Sequence, residues 1–191
     1  MSAPNQPVDG GASPGSAADV IRRLRLVPHP EGGWYREVHR SRATVGTPPG
    51  YPGARCALTI IHFLLEEGEF STFHRVRSEE VWVHLDGAPL ELAIVADAPD
   101  IRTIGPASGG GEPLAVVPPG CLQAARPRGG WALAACFVAP GFEFADFELL
   151  ARAELLARHP AHRELIERFT RPAAGPPADG RTAGGHPANE P

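Results

Sequence analysis

The sequence predicts an all-β protein, a jelly roll or small barrel, with short helices near its N- and C-terminal ends. Eight or more short runs with strand character are separated by Gly- and Pro-rich turns, which is typical of these folds. The run RCALTIIHFLL at 55–65 is apolar on both faces and indicates a strand packed on two sides. The 191 residues suffice for one domain with a buried core.

The first predicted element is a helix at 17–25. Ser16 is a suitable N-cap, and Pro28 prevents the helix from continuing. The apolar stripe of this helix comprises Val20, Ile21 and Leu24. The run GWYREVHR then predicts a first strand, and RCALTIIHFLL predicts the second.

The remaining strands follow in close succession. Two are expected within 68–87, and the others correspond to the runs PLELAIVA, LAVVP, CLQAARP, WALAACFVAP and GFEFADFEL. Two short helices close the domain: ARAELLARH forms the first, and Pro160 begins the second. The buried stripe of the second helix is predicted to comprise Leu165, Ile166 and Phe169.

Both ends of the chain are rich in Gly, Pro, Ala and Ser. Such segments bury too little apolar surface to offset the entropy of ordering. We therefore predict disordered tails at 1–15 and 171–191, with a single domain at 16–170.

Charge and composition exclude several classes of function. The formal net charge of −4 and the lack of a basic cluster argue against a nucleic-acid partner. No run approaches the about 20 apolar residues that cross a bilayer, and the N-terminus lacks signal-peptide features. The three cysteines, Cys56, Cys121 and Cys136, have no paired spacing and are expected to be free thiols. We expect a cytoplasmic protein without a membrane partner.

The stretch GEFSTFHRVRSEEVWVHLDG at 68–87 contains the candidate catalytic residues, His74 and Glu80. Side chains alternate between the two faces of a strand, so Glu80 and Trp82 share one face. The turn at 77–79 can bring His74 opposite Glu80. A histidine and a carboxylate that face one interior form an acid–base pair or half of a metal site. The alternative is a buried polar pair with a purely structural role.

Five blocks in order, PHPEGGWYRE, IIHFLL, STFHRV, PPGCLQAA and VAPGFEFADFELL, resemble the cupin branch called cupin family 5. The first cupin signature, G-x5-H-x-H-x3,4-E-x6-G, is matched at Gly68, His74, Glu80 and Gly87, with Val76 at the second histidine position. Gln123 stands at the histidine position of the second signature, P-x-G-x2-H. The resemblance spans about 19–170 and implies a double-stranded β-helix, the jelly-roll cupin barrel.

The resemblance also indicates where a metal would bind. Its ligand positions correspond to His74, Val76, Glu80 and Gln123, of which only two are strong ligands. We therefore favour no cofactor. If a divalent metal is present, the resemblance implies His74, Glu80 and Gln123 as its ligands.

Two further groups of residues are candidate ligand-binding residues. The stiff turn PHPEGGWYRE places polar side chains beside an unusual backbone, which suits a pocket wall as well as a plain helix-to-strand corner. Its candidates are His29, Glu31, Tyr35 and Arg36. The second group comprises Thr59, Ser71, Trp82 and Gln123, whose side chains could orient a ligand or stack on it. The alternative is that the two hydroxyl groups are hydrogen-bonded within the sheet and that Trp82 is a core residue.

These observations lead to the hypothesis of a protein that binds a small polar organic molecule within its barrel. If it is an enzyme, we expect a metal-independent isomerase or epimerase with His74 as base, Glu80 as its partner and Gln123 orienting the substrate. The alternatives are a non-catalytic ligand sensor and a metal-dependent oxygenase or lyase. The two-sided apolar strand at 55–65 also predicts a homodimer.

Overall fold

The computed structural model describes residues 15–109 and 111–172, which form two antiparallel sheets packed face to face. The predicted all-β jelly roll with short terminal helices is confirmed. The tails predicted at 1–15 and 171–191 lie almost entirely outside the described residues, so that prediction stays open.

The described helices and strands follow one another along the chain with short connections. They are α1 (Ala17–Leu24), β1 (Val27–Pro28), β2 (Trp34–Arg40), β3 (Thr59–Leu65), β4 (Ser71–Val76), β5 (Glu79–Gly87), β6 (Leu90–Val95), β7 (Pro99–Ile104), β8 (Leu114–Val117), β9 (Leu122–Pro127), β10 (Ala132–Ala139), β11 (Phe147–Leu149), α2 (Arg152–Arg158) and α3 (Arg163–Arg168).

The strand order of each sheet shows that chain neighbours often lie in different layers. The larger sheet has the order β1-β2-β3-β10-β5-β8, and the smaller has the order β11-β4-β9-β6-β7. Strands β4 and β5, which carry the two candidate catalytic residues, therefore belong to opposite sheets. Their connecting turn crosses from one layer to the other.

Helix α1 begins where the sequence predicts. The Ser16 hydroxyl accepts a hydrogen bond from the backbone amide of Asp19, and the Asp19 carboxylate accepts one from the backbone amide of Ser16. These two bonds form a capping box and satisfy both amides at the start of the helix. Arg25 ends the helix in a left-handed conformation. The apolar face of α1 covers part of the outer surface of the larger sheet, where Val20 packs with Leu64 and Leu133.

The main core lies between the sheets. It contains an edge-to-face aromatic pair, Phe63 and Trp82, with ring centroids 5.5 Å apart. A second cluster covers the outer face of the smaller sheet, where the stripe of the last helix packs as predicted. Ile166 and Phe169 are buried there against Phe73, and Leu165 is half-buried.

Some elements differ from the sequence-based prediction. The run at 55–65 becomes a strand only from Thr59 onward, and residues 142–146 form an irregular segment with one turn of 3-10 helix instead of a strand. Strands β1 and β7 were not predicted. Strand β7 is an edge strand whose side chains are largely exposed, so its sequence PDIRTI lacks the apolar alternation that marks a half-buried strand.

The outer face of the larger sheet is only partly covered by α1. Large apolar side chains remain exposed at its β8 edge, where Leu114 and Val116 pair with Val83 and Val81 of β5. The predicted homodimer is consistent with this face and stays a prediction. No helix within residues 15–109 and 111–172 has the length and apolar character to cross a bilayer.

Candidate functional site

A cavity of about 150 Å³ opens between the two sheets, beside the irregular segment at 142–146. One wall is aromatic, and the floor carries carboxyl and imidazole groups. The lining residues are His29, Glu31, Tyr35, Glu37, Arg40, Thr59, Ile61, Phe63, His74, Val76, Glu80, Cys136, Val138, Phe142, Glu143, Phe144 and Phe147.

His74 and Glu80 face this cavity from opposite sheets, and both are almost completely buried. Nδ1 of His74 lies 2.9 Å from the carbonyl oxygen of Thr72. Since a carbonyl can only accept, Nδ1 carries the ring proton and Nε2 is left as an acceptor. Burial lowers the pKa of His74, opposed by the charge of Glu80, so the neutral imidazole is favoured.

Glu31 lies between two imidazoles at the floor of the cavity. Its Oε1 accepts a hydrogen bond of 2.9 Å from the Ser71 hydroxyl, while its Oε2 lies 3.4 Å from both His29 Nδ1 and His74 Nε2. Burial raises the pKa of Glu31 from 4.5 to about 8. Burial also lowers the pKa of His29 from 6.5 to about 3, and the neighbouring His74 adds to this second shift. At neutral pH the proton therefore resides on the Glu31 carboxyl.

The turn that carries His29 and Glu31 depends on close backbone approach. Gly33 has φ +73°, and a Cβ atom there would lie 2.6 Å from the Leu64 carbonyl oxygen. Only glycine adopts this conformation at this spacing without strain. The turn can therefore press against β3 and direct both polar side chains into the cavity.

The carboxyl group of Glu80 is held by residues behind the cavity wall. The Gln123 amide nitrogen donates a hydrogen bond of 2.6 Å to Glu80. The indole of Trp82 donates to the Gln123 amide oxygen at 2.9 Å. Burial raises the pKa of Glu80 to about 7. His74 and the hydrogen bond from Gln123 oppose this rise, and Glu31 adds to it. Glu80 can therefore both donate and accept a proton near neutral pH.

The mouth of the cavity is bridged by an ion-pair network. The guanidinium of Arg40 donates two hydrogen bonds to Glu37, of 3.0 and 2.8 Å, and one of 2.8 Å to Glu143. This network joins β2 to the irregular segment that carries Phe142 and Phe144.

The family model described as Cupin superfamily (DUF985) matches residues 18–150. The chain belongs to this cupin family. A hypothetical protein from Leishmania major matches 82% of this cupin and 99% of its own chain, at 31% identity and a TM-score of 0.76. A protein from Shewanella oneidensis matches 83% of this cupin and 99% of its own chain, at 34% identity and a TM-score of 0.73. No curated protein matches the chain.

The ligand positions that the cupin resemblance implies do not fit a metal in this chain. The indole nitrogen of Trp82 can only donate, so it fixes the Gln123 amide with its oxygen toward Trp82 and its nitrogen toward Glu80. Gln123 therefore presents a donor, not a ligand atom, beside Glu80. Val76 lines the cavity but has no ligand atom. Within the described ranges, no group of three or more His, Cys, Asp and Glu side chains is placed to hold a metal ion.

The cavity brings together six of the ten predicted site residues, which are His29, Glu31, Tyr35, Thr59, His74 and Glu80. Ser71, Trp82 and Gln123 lie behind the wall and position other side chains. Gln123 accordingly contacts Glu80, in contrast to the predicted role of orienting the substrate. Arg36 faces away from the cavity, next to His62 on β3, because Tyr35 and Glu37 take the inward positions of β2.

Sequence reasoning missed much of the cavity wall. Glu37 and Arg40 follow Tyr35 along β2, where strand alternation and one bulge decide which side chains point inward. Alternation identifies Glu37, but the bulge that brings Arg40 inward leaves no clear sequence signal. The aromatic residues missed in the segment after β10 are Phe142, Phe144 and Phe147.

Proposed function

We propose that this cupin binds a small polar organic molecule in the cavity and moves a proton within it, as a metal-independent isomerase or epimerase. The observation that carries the proposal is the 2.9 Å contact between Nδ1 of His74 and the Thr72 carbonyl oxygen, which leaves Nε2 as a proton acceptor. His74 lines the same small cavity as the buried carboxyl groups of Glu31 and Glu80. A neutral imidazole is a general base, and a carboxyl that titrates near neutral pH is a general acid.

The reaction requires one base and one acid on the bound molecule. Nε2 of His74 takes the proton from a carbon next to a carbonyl group, and the electron pair of that bond moves to the carbonyl oxygen. The Glu80 carboxyl donates its proton to that oxygen, which gives a neutral enol. With a hydroxy ketone or hydroxy aldehyde this enol is an enediol. The imidazolium gives its proton to the former carbonyl carbon, and the hydroxyl group on the neighbouring carbon gives its proton to Glu80 and becomes the new carbonyl group. The isomerisation is complete with no net gain or loss of protons by the protein.

The size of the cavity limits what can react. An apolar cavity of similar volume holds benzene, so about six to ten heavy atoms fit within about 150 Å³. A whole nucleotide sugar, the substrate of some metal-free cupin epimerases, exceeds this volume. The proposed substrate is therefore a small carbonyl or hydroxycarbonyl compound.

Carbon-bound hydrogen exchange tests this proposal. The purified chain is incubated in D₂O with a panel of small ketones, aldehydes and hydroxy ketones, and loss of C–H signals is followed by proton NMR. We expect exchange in at least one compound and a loss of about a hundredfold or more in His74→Gln, which removes the base. The control is His84→Gln, because His84 bonds the Ala88 carbonyl and lies outside the cavity.

Two results would contradict catalysis by this pair. Exchange that persists unchanged in His74→Gln would place the base elsewhere. Compounds that raise the melting temperature of the protein without any exchange would instead support the alternative function, ligand binding without turnover. Circular dichroism and melting temperature of both variants establish that they remain folded.

A further inference from the structure

The cavity wall is unusually rich in aromatic rings. The rings of Phe142, Phe144 and Phe147 form a mutual edge-to-face group, with centroids 5.2 Å, 5.9 Å and 6.2 Å apart. His29 lies against Tyr35, with ring centroids 4.6 Å apart, and joins the group through Phe147. An aromatic ring has a negative face, so a wall of several rings attracts a desolvated cation.

The charged residues of the cavity point to the same ligand class. Four carboxyl-bearing residues line it, namely Glu31, Glu37, Glu80 and Glu143. In the part of the chain that the structure describes, Arg40 is the one arginine lining the cavity, and it is already bound by Glu37 and Glu143. No cation is therefore left to receive an anionic ligand. The two carboxylates of Glu37 and Glu143 share the single guanidinium of Arg40, which leaves an excess of negative charge at the mouth of the cavity that complements a positive ligand.

We propose that the ligand of the cavity is a small organic cation, an ammonium compound of about ten heavy atoms or fewer. Its charged group lies against the rings of Phe142, Phe144 and Phe147, and its polar end faces Glu80 and His74. This inference takes from the proposed function only that the cavity is the ligand site.

Three probes of nearly equal shape isolate the effect of charge. Choline is the cation, neohexanol replaces its nitrogen by carbon and is neutral, and the tert-butylacetate anion carries a negative charge. Isothermal titration of the full chain at neutral pH gives their dissociation constants. We expect choline to bind at least about tenfold more tightly than neohexanol, because a desolvated cation gains from both rings and carboxyl groups. We expect the anion to bind more weakly than both.

A variant of the aromatic wall separates charge recognition from shape. Phe144 is 55% exposed, so Phe144→Leu keeps an apolar side chain and is compatible with folding, but removes one ring face. We expect about fivefold weaker choline binding and unchanged neohexanol binding. Phe137→Leu is the matched control, because Phe137 is half-buried on β10 and does not line the cavity.

Several results would overturn the inference. The first is equal or tighter binding of neohexanol or of the anion, and the second is no binding of choline. The third is an equal loss of choline and neohexanol affinity in Phe144→Leu. The outcome is independent of the catalytic proposal. If the protein binds cations selectively but exchanges no hydrogen, the catalytic proposal fails and this inference stands. If it exchanges hydrogen in neutral compounds but shows no preference for cations, this inference fails and the catalytic proposal stands.

Discussion

Replacing Glu31 by glutamine should change how the stability of the protein depends on pH. Glu31 is buried, and its pKa is raised from 4.5 to about 8. The folded protein therefore holds this proton more tightly than the unfolded chain does. Between pH 4.5 and about 8, the Glu31 carboxyl ionises in the unfolded chain but stays protonated in the folded protein. Ionisation therefore stabilises the unfolded state, and the free energy of unfolding falls as pH rises. Above about pH 8 the carboxyl ionises in both states, so the loss of stability no longer grows.

The size of the effect follows from the same shift. Each pH unit between the two pKa values costs about 1.4 kcal/mol, which gives about 3 kcal/mol at pH 7 and about 5 kcal/mol at about pH 9. The amide of Glu31→Gln mimics the protonated carboxyl: its oxygen can accept from Ser71, and its nitrogen can donate to an imidazole. The variant should match the wild type at about pH 5 and melt roughly 10 °C higher at about pH 9.

Differential scanning calorimetry from about pH 5 to about pH 9 checks this prediction. The control is Glu37→Gln, because the side chain of Glu37 is 39% exposed, whereas that of Glu31 is buried. That control loses an ion pair worth at most about 1 kcal/mol and should gain no stability at alkaline pH. If wild type and Glu31→Gln keep the same difference in stability across the whole range, Glu31 is not held in its protonated form and the reasoning is wrong.

Two further substitutions test the framework around the cavity. The carboxylate oxygens of Asp146 lie 2.6 and 3.0 Å from the guanidinium of Arg55, and both groups are buried. Asp146→Asn removes the negative charge that this guanidinium pairs with, so we expect the free energy of unfolding in urea to fall by about 3–5 kcal/mol. A fall below about 1 kcal/mol would contradict burial of the pair. Gly33→Ala should cost at least about 2 kcal/mol more than Gly46→Ala, because both have positive φ but only Gly33 meets backbone, at Leu64; equal losses in thermal unfolding would refute the close approach.

The placement of His74 and Glu80 on one cavity could be predicted because its signal is local. The spacing of His74 and Glu80 within one short stretch, together with strand alternation, sufficed to direct both side chains to one interior. The function of Gln123 could not be predicted in the same way. Alternation places it inward, but its hydrogen bonds join it to Glu80 and Trp82, 43 and 41 residues away in the chain.

The aromatic wall was missed for a different physical reason. Strand and helix periodicities identify faces of regular elements, whereas Phe142 and Phe144 lie in an irregular segment whose path is set by tertiary contacts. Edge strand β7 escaped prediction because it buries little apolar surface. The sequence therefore identifies regular, half-buried elements well, and the connections that enclose the cavity poorly.

The proposed base and acid are carried by separate layers of the protein, β4 in one and β5 in the other. Their separation is consequently set by the thickness of the packed interior, and side chains such as Phe63 and Trp82 act as spacers between the layers. A slightly smaller or larger spacer would bring the two groups nearer or farther without touching either. Hydrostatic pressure, which compresses such interiors, should alter the same distance in the intact protein.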